Sequence, residues 1–265
     1  MAFLQFLPIT KGILAGTKMK LLPGQRRFVE AVYGRLAADG RRQIRIAVKS
    51  EPRGGGKTGL VAGLMLAHLL GPECEPRGEC YSAAYNKLQA ALIFAEMRAI
   101  IEAVPEFEAR CNIQRYGKVI EVLEGDGAGS VYESLSADDK RAHGLSPSFW
   151  AFDEYAQAPN SDLLDTLRTS MGKRSESLGI VISTQAANDM HPLSQLIDDA
   201  ARGQDPSVYL QLIFDERTWF ACNEALGKFL DLAEFRAQAE QAKRLPSLRA
   251  KFQNLRLNMR CRCTR

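Results

Sequence analysis

The stretch Lys49–Leu70, KSEPRGGGKTGLVAGLMLAHLL, constrains this chain more than any other. An apolar run, Gln43–Ser50, enters it, and three consecutive glycines, Gly54, Gly55 and Gly56, fill it. A helical pattern leaves it, amphipathic in appearance, with Leu60, Leu64, Ala67 and Leu70 near one face. A strand that turns through glycines into a helix start is a cradle for phosphate. Glycines reach positive φ and let an anion approach without a Cβ in the way. The first helical turn adds unpaired N–H groups and the positive end of the helix dipole. In such a cradle Lys57 would neutralise the β and γ phosphates of a nucleotide, and the Thr58 hydroxyl would hold Mg²⁺. The full pattern G-x-x-x-x-G-K-[ST] asks for glycine where this chain has Glu51. Either the cradle has an unusual entrance, or Gly-Lys-Thr fell together by chance.

The remainder of the chain repeats the same alternation of short apolar runs and longer helical patterns. GECYSAAY (Gly78–Tyr85) reads as a second strand and Asn86–Val104 as a second helix. GKVIEVLEG and GSVYESLS read as short β runs, followed by SFWAFDE (Ser148–Glu154), LGIVISTQ (Leu178–Gln185) and SVYLQLIF (Ser207–Phe214). A helical NSDLLDTLRTSM lies between the first two of these last three. Continuous apolar strands alternating with helices predict a mostly parallel sheet covered on both faces. After Phe214 only helical patterns follow. The expected organisation is an α/β core over residues 1–214 and a small helical subdomain over 215–265.

Composition supports this without adding to it. An apolar content of 46% and a charged content of 25% are those of a soluble globular chain. A net charge of +4 permits an anionic partner without requiring one. Six irregularly spaced cysteines without C-x-x-C, and only three histidines, argue against a zinc site and for a reduced intracellular setting. No run approaches a membrane span, so no membrane partner is expected.

A phosphate cradle needs a second group of residues, and SFWAFDE supplies one. Four buried-strand residues run straight into Asp153 and Glu154. At the rim of a parallel sheet, one carboxylate can bind Mg²⁺ and its neighbour can orient or deprotonate the attacking water. The loop and the acids, in this order, point to ATP or GTP.

At this point the chain resembles a family, the large subunit of tailed-phage terminases. RGGGKT, with Arg53 four residues before Lys57, is similar to that family's phosphate loop, which tolerates loss of the first glycine. The resemblance implies a P-loop ATPase in which Arg53 contacts the γ-phosphate in cis. LLPGQRRFVEAVYG resembles the upstream segment whose glutamine, here Gln25, reads the adenine edge. HGLSPSFWAFDE is similar to the approach to the two acids, with Asp153 and Thr58 on Mg²⁺ and Glu154 activating water. IVISTQA resembles the coupling motif, in which Ser183, Thr184 and Gln185 sense the γ-phosphate. YSAAYNKLQAALIF, TWFACNEALG and FQNLRLN resemble further family segments, the last two following the ATPase core and leading towards a nuclease domain. No acidic residue follows Glu240, and that domain is expected to be missing here.

The resemblance further implies ATP and Mg²⁺ as cofactors and double-stranded DNA, a portal protein and a small terminase subunit as partners. It also implies a homo-oligomeric ring working in the cytoplasm of a bacterial host. A ring of this kind commonly completes each site with a neighbour's arginine. Arg141, in DDKRAHGLSPS, is the candidate and Arg174 its rival. Two other functions stay open on the sequence: a helicase-like ATPase of similar core, and a nucleotide-binding remnant without turnover.

Overall fold

The computed structural model describes residues 1–136, 144–214 and 219–260. In it, the alternation seen in the sequence becomes one eight-stranded sheet. The chain runs α1 (Ala2–Phe6), α2 (Pro23–Tyr33), β1 (Ile46–Ser50), α3 (Lys57–Leu69), β2 (Glu79–Ala84), α4 (Lys87–Glu102) and α5 (Pro105–Glu108). It continues through β3 (Cys111–Gln114), β4 (Val119–Val122), β5 (Val131–Ser136), β6 (Phe149–Asp153), α6 (Asp162–Ser170), β7 (Leu178–Ser183) and α7 (Pro192–Arg202). The last elements are β8 (Val208–Leu212), α8 (Trp219–Cys222), α9 (Leu232–Arg244) and α10 (Pro246–Leu257).

Strand order is β3-β4-β5-β2-β6-β7-β1-β8. From β5 to β8 every pairing is parallel, while β3–β4 and β4–β5 are antiparallel. The expected mostly parallel sheet is therefore present, extended at one edge by a small meander. Its central strands, β1, β6 and β7, are buried on both faces because successive side chains serve two cores. Phe149 and Ala151 of β6 pack on the side of α2, α3 and α4, and Trp150 and Phe152 on the side of α6 and α7.

Helix α3 departs from the amphipathic reading. It is buried nearly all round, from Leu60 to Leu69. The reason is the N-terminal segment, which covers the face expected to meet water. A Cβ on Gly63 would fall 2.9 Å from Leu4 and 3.3 Å from Leu7. Edge strand β3 and helix α7 are among the elements that were not anticipated. Edge strand β3 is half exposed and too short to carry a pattern. Helix α7 did carry signals: Pro192 at its first turn, the His191 Nδ1 accepting from the Leu193 N–H at 3.1 Å, and Gly203 at φ +66 ending it. Among the described residues no helix is long and apolar enough to cross a membrane.

Candidate active site

The decisive feature of the sheet is that β7 lies between β1 and β6. The strand that precedes the glycine loop and the strand that ends in the acids thus flank the strand that ends in Ser183. In register, Ser50 pairs with Ser183, and Asp153 with Ile182. Past the strands the ties continue: the Glu51 N–H donates to the Ser183 carbonyl (3.1 Å) and the Glu154 N–H to the Ile182 carbonyl (2.8 Å). One rim at the carboxyl ends of the strands, where open α/β sheets bind ligands, collects all three groups.

Each loop glycine answers a separate demand. Gly54 and Gly56 sit at φ +95 and +80, where an L side chain is strained. Gly55 is instead a matter of space, since a Cβ there would fall 2.7 Å from Glu51 Oε1. Gln25 supports the loop from α2: its Nε2 donates to the Gly55 carbonyl (3.1 Å) while its Oε1 accepts from the Leu22 N–H (3.0 Å). Lys57 opens α3, buried, and its Nζ donates to the carbonyls of Glu51 (3.0 Å) and Pro52 (2.9 Å). Burial lowers the Lys57 pKa, while Glu51, Glu154 and Asp153 act to raise it. Thr58 follows, half-buried on the same turn.

Glu51, the residue in the place of a glycine, points inward. Its carboxylate pairs with Lys49 Nζ at 2.6 Å, and both side chains are buried. Lys49 also donates to Gln211 Oε1 (2.6 Å) and lies 5.6 Å from the centre of the Phe28 ring. Gln211 in turn donates to the Gly24 carbonyl (3.0 Å), which returns the network to α2. The loop entrance is thus braced from beneath by an ion pair. Removing one partner leaves the other charge buried and alone. Lys49→Met is accordingly expected to cost about 3–5 kcal/mol in urea unfolding, and adding Glu51→Gln to recover much of it.

At the opposite side of the rim, Asp153 is buried and Glu154 adopts a left-handed backbone, φ 51 and ψ 46. Non-glycine residues in this region are strained and concentrate at functional sites. Glu154 Oε2 is buried with no hydrogen-bond partner. Burial first, then the Glu154 charge, push the Asp153 carboxyl from 3.8 up to about 7, against the opposing pull of Lys57. Between those two values the folded chain keeps a proton that the unfolded chain has lost. Stability therefore falls as pH rises through that window. Wild type should lose stability relative to Asp153→Asn between about pH 4 and pH 7, as read by denaturant unfolding at each pH.

Ser183, Thr184 and Gln185, the residues expected to sense the γ-phosphate, lie at the end of β7 and just past it. Ser183 Oγ accepts from the Ala156 N–H at 2.9 Å, just beyond Glu154, and Thr184 and Gln185 are buried. Comparison with known proteins now bears on this rim. Residues 23–202 match the family model of the terminase large subunit, ATPase domain. This chain belongs to that family. It is 38% identical over 270 residues to the terminase large subunit of Enterobacteria phage HK97, covering 98% of this chain and 52% of that protein. The crystal structure of the HK97 large terminase superposes with a TM-score of 0.86 at 36% identity, covering 98% of this chain and 54% of that one. The ATPase domain of the Thermus phage P74-26 large terminase gives 0.62 at 18% identity, over 89% of this chain and 98% of that one, a likeness of fold. The chain spans about half the length of the HK97 proteins it matches.

Within this terminase ATPase domain, not every expected residue meets at the rim. Arg53 is exposed; its N–H donates to the Leu255 carbonyl (2.8 Å) and its side chain lines a groove of about 290 Å³ with Gln238, Lys251, Phe252 and Arg256 of α9 and α10. Arg141 lies outside the described residues. Arg174 is engaged within the fold: its guanidinium pairs with Glu75 and donates to the carbonyls of Ser146 and Arg77 (3.0 Å for the latter). Sequence reasoning overlooked Lys49, although a lysine inside an otherwise apolar strand was a signal. It also overlooked Phe229, whose ring lies 3.6 Å from where a Cβ on Gly56 would be, and for which no local signal exists.

Proposed function

We propose that this chain binds and hydrolyses ATP at the β1–β7–β6 rim and that the whole protein uses turnover to drive double-stranded DNA into a capsid. The observation that carries the reading is that β7, paired with both β1 and β6, brings Lys57 to one rim with Asp153, which is buried, and Glu154, which is half-buried. Backbone N–H groups of Gly54, Gly55, Gly56, Lys57 and Thr58 hold the phosphates. Lys57 exchanges the Glu51 and Pro52 carbonyls for the β and γ phosphates. Glu154, with a buried oxygen that nothing in the fold occupies, orients and deprotonates water. Arg53 leaves its groove to contact the γ-phosphate in cis, and Ser183, Thr184 and Gln185 register its presence. Arg141 is the arginine supplied to a neighbour in the ring.

Mg²⁺, when bound, screens phosphate charge and polarises the bond that breaks. Burial and the Glu154 charge disfavour a bare Asp153 carboxylate, and a hard cation with its waters, which would rest on Asp153 and the Thr58 hydroxyl, would supply the compensating charge. The base enters a cavity of about 390 Å³ beside Gly56, lined by Gln25, Leu60, Phe229 and residues of the N-terminal segment, Ile13 and Met19 among them. Gln25 uses one donor and one acceptor on the loop and on Leu22, so it retains a second N–H and a second lone pair for the adenine edge. A homo-oligomeric ring, a portal protein, a small terminase subunit and the host cytoplasm complete the reading, as does a division into a core over 1–214 and a helical subdomain beyond.

The test is the ATPase rate with and without double-stranded DNA, for wild type and Glu154→Gln. Turnover that DNA stimulates and Glu154→Gln abolishes is expected. Equal rates in the two proteins would overturn the site, and strand separation would reassign the chain to helicase-like work.

A further inference from the structure

Asn258 ends α10 in the left-handed region, φ 55 and ψ 39, and is fully buried. From there it reaches three strand ends at once. Its Nδ2 donates to Ser50 Oγ (3.0 Å), the last residue of β1, and to the carbonyl of Ile213 (3.0 Å), just after β8. Its Oδ1 accepts from the Gln185 N–H (2.7 Å), two residues past β7, and its carbonyl accepts from Gln185 Nε2 (2.6 Å). Asparagine suits the position on two counts: it tolerates this backbone, and its carboxamide both donates and accepts.

Gln185 is held from the same segment on every polar group it has. Besides the two bonds from Asn258, its carbonyl accepts from Asn254 Nδ2 (2.8 Å) and its Oε1 from Arg260 Nε (3.0 Å). Arg260 then fastens to α7 through Asp198 (2.6 Å). A buried polar network that is satisfied throughout fixes one arrangement, and one that loses a member is costly. Helix α10 touches the phosphate loop as well, through the Arg53 N–H on the Leu255 carbonyl (2.8 Å). One helix therefore grips the nucleotide rim at two places, the loop and the end of β7.

We infer that Asn258 is a positioning residue for turnover, a clasp that ties the Ser183–Gln185 segment to α9 and α10. A change at the rim when nucleotide binds is then carried into that helical pair, and loosening the clasp slows hydrolysis. The inference rests on the proposed ATP hydrolysis.

Asn258→Gly keeps the backbone conformation and removes the carboxamide. It should lower kcat tenfold or more while KM for ATP stays within about threefold, a split that mere loss of stability would not produce. Hydrogen exchange over 246–257 should respond to Mg²⁺ and a non-hydrolysable ATP analogue in wild type and no longer respond in Asn258→Gly. A kcat within twofold of wild type, or an exchange response that persists, overturns the clasp. Should Asn258→Gly fail to fold, Asn254→Ala removes, from a half-buried position, the hydrogen bond to the Gln185 carbonyl and one to the Met259 carbonyl. It should lower kcat about threefold at unchanged KM, and an unchanged kcat there overturns the clasp equally. A wild type that binds the analogue but shows no turnover refutes the proposed hydrolysis alone, because the exchange response still tests the clasp.

Discussion

Lys57→Ala should lose ATP affinity by about two orders of magnitude or more while remaining folded. The lysine is the cationic loop side chain that is buried, and the charges of Glu51, Glu154 and Asp153 support its own. Its ammonium now satisfies two loop carbonyls, which water can reach once the side chain is gone. Hydrogen bonds to a charged group contribute about 1.5–3 kcal/mol each. Two such bonds to phosphate account for at least a hundredfold in affinity. Calorimetry with ATP and Mg²⁺ gives the answer directly, and equal affinity in wild type and variant would remove the loop from nucleotide binding.

Glu154→Gln should keep nucleotide and lose hydrolysis, by about 10²–10⁴-fold in kcat, the usual worth of a positioned general base. The substitution preserves shape and removes the carboxylate whose Oε2 the fold leaves unpartnered. Binding and catalysis should therefore separate: single-turnover experiments would show ATP bound but uncleaved. Asp153→Asn should instead weaken binding only in the presence of Mg²⁺. Were the two phenotypes exchanged, the assignment of the two acids would be reversed: Asp153 would activate water and Glu154 would carry the cation.

Much of this domain was legible in its residues. The sequence pattern marked seven of the eight strands among the described residues: β1, β6 and β7, buried on both faces, as continuous hydrophobic stretches, and β4, with one face buried, by alternation. The glycines announced the loop, because positive φ is nearly theirs alone. Asp153, Glu154 and Ser183 stood out as polar groups where apolar strands stop. Several things were decided only in three dimensions. Placement of β7 between β1 and β6 is one, since local pattern says that a strand exists and nothing about its neighbours. The burial of α3 from Leu60 to Leu69 is another, imposed by an N-terminal segment remote from it in sequence. Glu51 looked like a broken motif and proved to be half of a buried pair with Lys49, two residues away but set there by the depth of the core around Phe28. Asn258 closes the FQNLRLN segment, whose resemblance to the family marked the stretch but gave this residue no role. Its role comes from meeting Ser50, Gln185 and Ile213, and such a meeting of distant polar groups has no period for a sequence to display.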